Sequence, residues 1–563
     1  MVPNIWSERQ LFAFSGIEGA TDWDACFVAS TVGHGARYGL RFHCKPERTL
    51  WIDGSALDPS EVRTDAVMSD FVRRDFVAAD GEVRVEIAAG DKHSIFGRVS
   101  GSDALVDQVR VEVQADDCER SKGGEIESHV SETNRTFLMA QRWPGRLDFA
   151  FMYSPRAEPP GPIEIHPDFD RLVERKRHFV HACPECELPP DLKQTFLKAC
   201  FVLKANVESA QPAIPCRWTT PDRVPHRYMW KWDSAFHAIG YRHLDFGLAR
   251  DAILAVLHKQ KDDGFIPHMM SPADDDDSDI SQPPVLAWAT WKTFEVSADT
   301  SFLKEAMPHL TACLQWHIAN RRPTDKLLFH WVSGAESGMD NSPRFDSGRP
   351  FYAIDLAAYM AHECEHVCRF AETLREKAVA KYWAGVRQEI IDAINAELWD
   401  EERGFYFDRF VDGEFMDLKT EASFLPLLAG VASKEQAAKL VEHLTAPDEF
   451  WRPFPVPSVA ADEPTYSDDM WRGPTWINYN HMIVRGLERY GYNDIANELK
   501  QRTLNEIARW YRELGCIFEF YDAEGATPPP GLDRKGCKQD PRRMCCIADY
   551  NWSAALFVDL IME

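Results

Sequence analysis

The chain has 563 residues and carries 89 acidic against 63 basic side chains, a net charge of −26. It therefore lacks the basic face that nucleic acid requires and offers no attraction to an anionic membrane. Its length exceeds one small domain, its 45% hydrophobic and 27% charged content is ordinary for a globular protein, and no run approaches the roughly 20 apolar residues of a membrane span.

The first residues, Met1 to Arg9, lack the basic-then-apolar pattern of a secretory signal. Up to about residue 160 the chain reads as strands. Ala25–Ser30, Leu40–Cys44, Val83–Ile87 and Val109–Val113 alternate apolar and polar residues at period two. Asp53-Gly54 and Asp80-Gly81 lie between such runs, where a tight hairpin turn needs positive φ. Short strands at this spacing predict an N-terminal antiparallel β-sandwich over 1–160. Four prolines in Ser154–Pro162 then announce a linker, taken as 161–189. It holds Cys183-Pro-Glu-Cys186, a pair without the second pair that a zinc site needs. The 14 cysteines, scattered and without a signal, read as reduced thiols in a cytoplasm.

From about residue 190 the apolar period becomes helical. Twelve segments follow: Leu192–Asn206, Phe236–Leu244, Ala252–Gln260, Val285–Val296, Phe302–Ile318, Ile354–Leu374, Val379–Leu398, Ala422–Ala429, Glu435–Leu444, Trp476–Tyr490, Ile495–Leu514 and Tyr550–Ile561. Short joins near Asp245, Asp299, Leu374, Ser433 and Gly491 alternate with long ones: Ser209–Lys231, Lys261–Gln282, Arg321–Phe351, Asp400–Thr420, Ala446–Gly473 and Gly515–Asp549. Antiparallel helix pairs closed into a ring would gather every long join on one rim. The expected catalytic domain is thus an (α/α)6 barrel over 190–563 with its chemistry on the long loops.

Those loops concentrate aromatics and carboxylates: Tyr228-Met-Trp230-Lys-Trp232-Asp233, Gln282-Pro-Pro, Glu336-Ser-Gly-Met-Asp340-Asn-Ser-Pro-Arg344, Trp471-Arg-Gly-Pro-Thr-Trp476 and Phe518-Glu519-Phe-Tyr521-Asp522. With 18 Trp and 33 Phe in the chain, stacked rings are available for the apolar faces of sugars. Cleaving an acetal needs one carboxyl group to protonate the leaving oxygen and another to activate water, roles given to Asp340 and Glu519. Glu336 is expected to help keep the acid protonated.

Structural roles compete for the same residues. Trp230 and Trp232 are two apart, so one of them could be core. Asp233 could cap a helix, Arg344 and Arg472 could pair with surface carboxylates, and His268 could be a core histidine. The Asp274–Asp279 run lacks an EF-hand's spacing and reads as solvated.

Taken in order, these five elements resemble glycoside hydrolase family 63 and its smaller relatives acting on mannosylglycerate or glucosylglycerate. The resemblance implies an inverting enzyme on α-glycosides, with no cofactor, no metal and a small carbohydrate substrate. It makes Asp340 the acid and Glu519 the base. It also makes Trp232, Asp233 and Gln282 sugar contacts, with Tyr228, Trp230, Arg344, Trp471 and Trp476 as walls. The substrate expected first is an α-glucoside, with trehalose, mannosylglycerate or glucosylglycerate as alternatives. Trehalases resemble the chain too, but Pro225-His-Arg-Tyr228 stands where their Gly-Gly-Arg-Phe element would be. A sugar epimerase would need a histidine acid–base pair, and a binding protein would not need both carboxylates. The sixth loop adds Pro528-Pro-Pro530 and a basic patch of Arg534, Lys535, Lys538, Arg542 and Arg543, expected to lie on the leaving-group side.

Overall fold

Alternation at period two becomes β-structure because one face of each strand meets a shared core. The computed structural model describes residues 9–21, 23, 27–43, 47–116, 118–273, 276–540 and 542–563, so the ends Ala25 and Cys44 of two expected strands fall outside the described residues. The strands are β1 (Leu11–Ala13), β2 (Val28–His34), β3 (Arg37–Phe42), β4 (Arg48–Asp53), β5 (Glu61–Val67), β6 (Phe71–Ala78), β7 (Gly81–Asp91), β8 (Ser94–Ser100), β9 (Arg110–Ala115), β10 (Glu119–Gly123), β11 (Ile126–Val130), β12 (Asn134–Trp143) and β13 (Arg146–Pro155). One sheet has the order β1-β2-β3-β4-β9 and the other β10-β11-β12-β13-β8-β7-β6-β5. Leu40, Leu50 and Ile52 of the first share a core with Val83, Val85, Ile87, Phe149 and Phe151 of the second.

The hairpin at Asp80-Gly81 forms one residue earlier than expected: Ala78 pairs with Gly81, so Ala79-Asp80 make the turn and Gly81, the first residue of β7, carries the positive φ of +134°. Asp53-Gly54 makes no hairpin. Gly54 has φ −100°, and β4 pairs with β3 and β9 while β5 belongs to the other sheet. The dipeptide closes a strand before a crossover, where negative φ suffices.

The chain divides into two compact units: Met1–Ser209 with Asp222–Arg227 and Ala508–Ile517, and Ala210–Pro221 with Tyr228–Ile507 and Phe518–Glu563. The first includes the short α1 (Asp103–Val106), α2 (Phe169–Ala182) and α3 (Pro190–Ala205). Helix α2 occupies the segment expected as a linker. It buries Phe169, Leu172, Val173 and Lys176, and the Lys176 ammonium pairs with buried Asp70 at 3.0 Å.

The helices that follow are α4 (Lys231–Tyr241), α5 (Phe246–His258), α6 (Leu286–Ser297), α7 (Thr300–Asn320), the single turn α8 (Gly334–Ser337), α9 (Ile354–Thr373), α10 (Lys377–Glu397), α11 (Leu425–Ala429), α12 (Lys434–Leu444), α13 (Ile477–Arg489), α14 (Asn493–Leu514) and α15 (Asn551–Met562). Six of them close a ring: α4 packs on α6, α6 on α9, α9 on α11, α11 on α13, α13 on α15, and α15 back on α4. Position in the ring explains their composition. Helix α4 is buried at every residue and α15 from Asn551 to Leu560, whereas α10 buries only Trp383, Ile390 and Ile394. Each ring helix is preceded by a long connection and followed, where the chain continues, by a short one. Asp245, Asp299 and Ser433 fix three short joins by accepting first-turn N–H groups of α5, α7 and α12. Among the described residues no helix is long and apolar enough to cross a membrane.

Candidate active site

The candidate acid, Asp340, sits in a turn with no room beneath it. Gly338 has φ +76°, and a Cβ there would lie 2.3 Å from the ring of Trp232; one on Gly334 would lie 2.5 Å from the Asp340 carbonyl oxygen. Trp232 is 2% exposed and packed by Trp552 and Trp471 at 5.2 and 6.4 Å between ring centroids. It supports the turn from below, while Trp230 is only partly buried, with the His268 ring edge-on at 4.9 Å. Gln282 Oε1 accepts the Trp232 N–H at 3.1 Å, and the buried Lys231 ammonium donates to Ser281 Oγ and the Gln282 carbonyl. Asp233 is buried in the first turn of α4 but does not occupy the capping position, which is Trp230.

Trp471 and Trp476 stack face to face at 3.6 Å and are fully buried. Their expected place as walls is corrected to the layer underneath, and the Trp471 N–H donates to Asn341 Oδ1, tying the fifth loop to the Asp340 turn. Arg344 is likewise corrected. Its guanidinium forks onto Asp355 at 2.6 and 2.9 Å and onto Asp408 at 2.6 and 3.0 Å, wholly buried. Burial alone would lower its pKa, but the two carboxylates hold it well above the usual range. Arg472 forms an outer ion pair with Asp346.

Glu336 has partners of its own. Its buried carboxylate takes Arg321 Nη2 at 2.6 Å and the Val332 N–H at 2.9 Å, so its charge is already matched. Tyr228 donates to Asp276 at 3.0 Å. His268 is held by Ser278, and burial pushes its imidazole below the ordinary range. Asp274 and Asp275 lie outside the described residues; Asp277 pairs with Lys259 at 3.2 Å and Lys261 at 2.9 Å. Among the described residues no group of three or more His, Cys, Asp or Glu is placed to hold a metal ion.

Glu519, 1% exposed, lies at a bend just after Phe518, and its backbone N–H donates to the Ile547 carbonyl at 2.9 Å. Arg534 grips both its oxygens, Nε at 2.8 Å and Nη2 at 3.1 Å. Burial would lower the Arg534 pKa, yet the Glu519 charge raises it, with a smaller contribution from Asp340. The next residue, Lys535, pairs with Asp340 through its ammonium. The two candidate carboxylates therefore meet one cationic dipeptide. Sequence reasoning marked the basic patch but not these partners, since nothing in a loop's composition says which cation reaches which carboxylate. The other three patch residues bind elsewhere: Lys538 to Asp468, Arg542 to Asp540 and Arg543 to the Lys535 carbonyl. A disulfide, Cys537–Cys545, closes this loop, so reduced thiols do not hold for that pair. Asp522 is structural, accepting the N–H groups of Glu524, Ala526 and Thr527.

Residues 226–553 match the model of the mannosylglycerate hydrolase MGH1-like glycoside hydrolase domain. A mannosylglycerate hydrolase of Thermus thermophilus is 28% identical over 64% of this chain and 99% of its own length. A solved family 63 mannosylglycerate hydrolase of Thermus thermophilus, in complex with glucose, is 27% identical, with a TM-score of 0.55 over 64% of this chain and 98% of that one. Neutral trehalase of Saccharomyces cerevisiae, 16% identical with a TM-score of 0.50 over 70% of this chain and 84% of its own, is alike in fold alone. The chain belongs to the MGH1-like family and is a glycoside hydrolase of the family 63 type.

Proposed function

We propose that the chain hydrolyses the α-glycosidic bond of a small glycoside with an acidic leaving group, mannosylglycerate or a close analogue, with inversion. Asp340 is the general acid and Glu519 the general base, on the long-loop rim of an (α/α)6 barrel whose inner ring is α4, α6, α9, α11, α13 and α15. One observation carries this most: Arg534 and Lys535, adjacent in sequence, engage the two carboxylates from two different loops. Relatives named for mannosylglycerate, and a partly exposed ammonium beside the acid, favour this substrate over the glucoside that the sequence put first.

The chemistry follows from the roles. Asp340 protonates the glycosidic oxygen while Glu519 takes a proton from the water attacking the opposite face, which needs about 6.5–9.5 Å between the carboxyl groups. Arg534 fixes both oxygens of Glu519 and leaves lone pairs for that water. An ion-paired carboxylate has no proton to give, so the Lys535–Asp340 contact must open first; a leaving group with its own carboxylate offers Lys535 another partner. Tyr228 and Trp230, both partly exposed, line the sugar subsite, with Trp232, Asp233 and Gln282, each 2–3% exposed, at its floor and Trp471 and Trp476 beneath them.

The test is a panel of mannosylglycerate, glucosylglycerate, trehalose and maltose, with the released sugar identified and its anomer read by NMR before mutarotation. Asp340→Asn and Glu519→Gln should each abolish hydrolysis and leave the fold intact. Full activity in either variant, or a retained anomer, would overturn the assignment.

A further inference from the structure

The outer face of the eight-stranded sheet carries apolar residues where water should meet polar ones. Ile95 and Phe151 face the sandwich core. Their strand neighbours Phe96 and Met152 therefore point the other way, as does Phe137, which pairs with Met152 across β12 and β13. A solvated sheet face would place polar side chains there. Instead the proline-rich segment after β13, through Pro159-Pro160-Gly161-Pro162 to Pro167, passes over this face. It leaves a cavity of about 410 Å³ between segment and sheet, inside the range of about 300–1,000 Å³ typical of small-molecule sites.

The lining combines two kinds of group. Phe96 and Phe137 offer ring surface, with the His166 ring edge-on to Phe96 at 4.8 Å, while Tyr153 borders the cavity but its side chain belongs to the sandwich core, where the His93 ring lies parallel to it at 6.0 Å. Asp91, Glu158 and Glu164 supply carboxylates, and Ser94 and Ser154 hydroxyls. His166 accepts the Asp168 N–H at Nδ1 (3.1 Å), which leaves Nε2 as a donor. His93 Nδ1 is buried with no hydrogen-bond partner among the described residues. Among the described residues no lysine or arginine lines the cavity, so an anionic ligand would find no counter-charge there. Ring faces beside both donors and acceptors match a neutral polyol, whose C–H faces are apolar and whose edges carry hydroxyls.

We propose that this cavity binds a saccharide unit. Every lining residue belongs to the first compact unit and every candidate catalytic residue to the second, so the site does not rest on the roles of Asp340 and Glu519. It would let the enzyme hold sugar without cleaving it.

The experiment is calorimetric titration of the full-length protein with methyl α-D-mannopyranoside and methyl α-D-glucopyranoside, repeated on Phe137→Ala, His93→Ala and Glu164→Ala. Glu164 is exposed, so its variant keeps the fold even if Phe137→Ala does not. The expected result is a binding component weakened about tenfold or more by these changes, roughly one ring contact's worth for Phe137. Hydrolysis should be unchanged in the folded variants. Sugar binding unaltered in His93→Ala and Glu164→Ala would overturn the proposal. So would binding of choline, used as a cationic probe, that these variants abolish while sugar binding is absent.

Discussion

Gly338→Ala puts one methyl group under the candidate acid and should cripple the enzyme without touching a carboxylate. Two costs add. At φ +76° any residue with a Cβ pays backbone strain of about 1–2 kcal/mol. The new Cβ would also lie 2.3, 2.5 and 2.9 Å from three ring atoms of Trp232, which is locked by Trp471, Trp552 and Phe236. Overpacking of this kind costs about 1–3 kcal/mol more. Gly348→Ala is the control: its φ is +65°, with nothing within 4 Å of the added atom, so it carries strain alone. Urea denaturation should show Gly348→Ala losing about 1–2 kcal/mol and Gly338→Ala about 2–5 kcal/mol. Because Asp340 lies two residues on, a displacement near 1 Å should cut kcat on the preferred substrate about 100-fold in Gly338→Ala only. Equal stability and equal kcat in the two variants would refute the claim that Trp232 sets the acid's position.

Three further outcomes are expected. Glu363, buried on α9, accepts the Ala287 and Trp288 N–H groups at 2.7 and 2.9 Å, and burial pushes its carboxyl from 4.5 up to about 7. The folded protein thus holds a proton that the unfolded chain releases, so stability falls as pH rises from 4.5 to about 7, by about 3 kcal/mol at most. Denaturation across that window should show a flatter slope in Glu363→Gln, and an unchanged slope would count against it. Arg344→Met strands Asp355 and Asp408 and should cost about 3–5 kcal/mol in urea; a loss below about 1 kcal/mol would mean the network is not structural. Lys535→Met should raise KM for a glycoside with a carboxylate aglycone about tenfold, about 1.4 kcal/mol, and spare a neutral methyl glycoside. An equal effect on both would deny Lys535 a part in selecting the leaving group.

Period alone marked the twelve helical segments from Leu192–Asn206 to Tyr550–Ile561 and the alternation of long and short joins, because apolar spacing is a local record of which face each helix buries. It passed over α2, whose Phe169, Leu172 and Val173 lie among charged residues after a proline-rich stretch. Motif identity likewise singled out Asp340 and Glu519. What remained for the tertiary structure was partnership. Arg344 meets Asp408 from another loop, Trp471 stacks on Trp476 in the core instead of facing sugar, and only two of five basic patch residues reach the candidate carboxylates. A residue's type states what it can bind, and local spacing states which side it faces. Which distant charge or ring lies opposite is fixed only when the long loops are folded together, since burial makes an unpaired charge costly and so selects the partner.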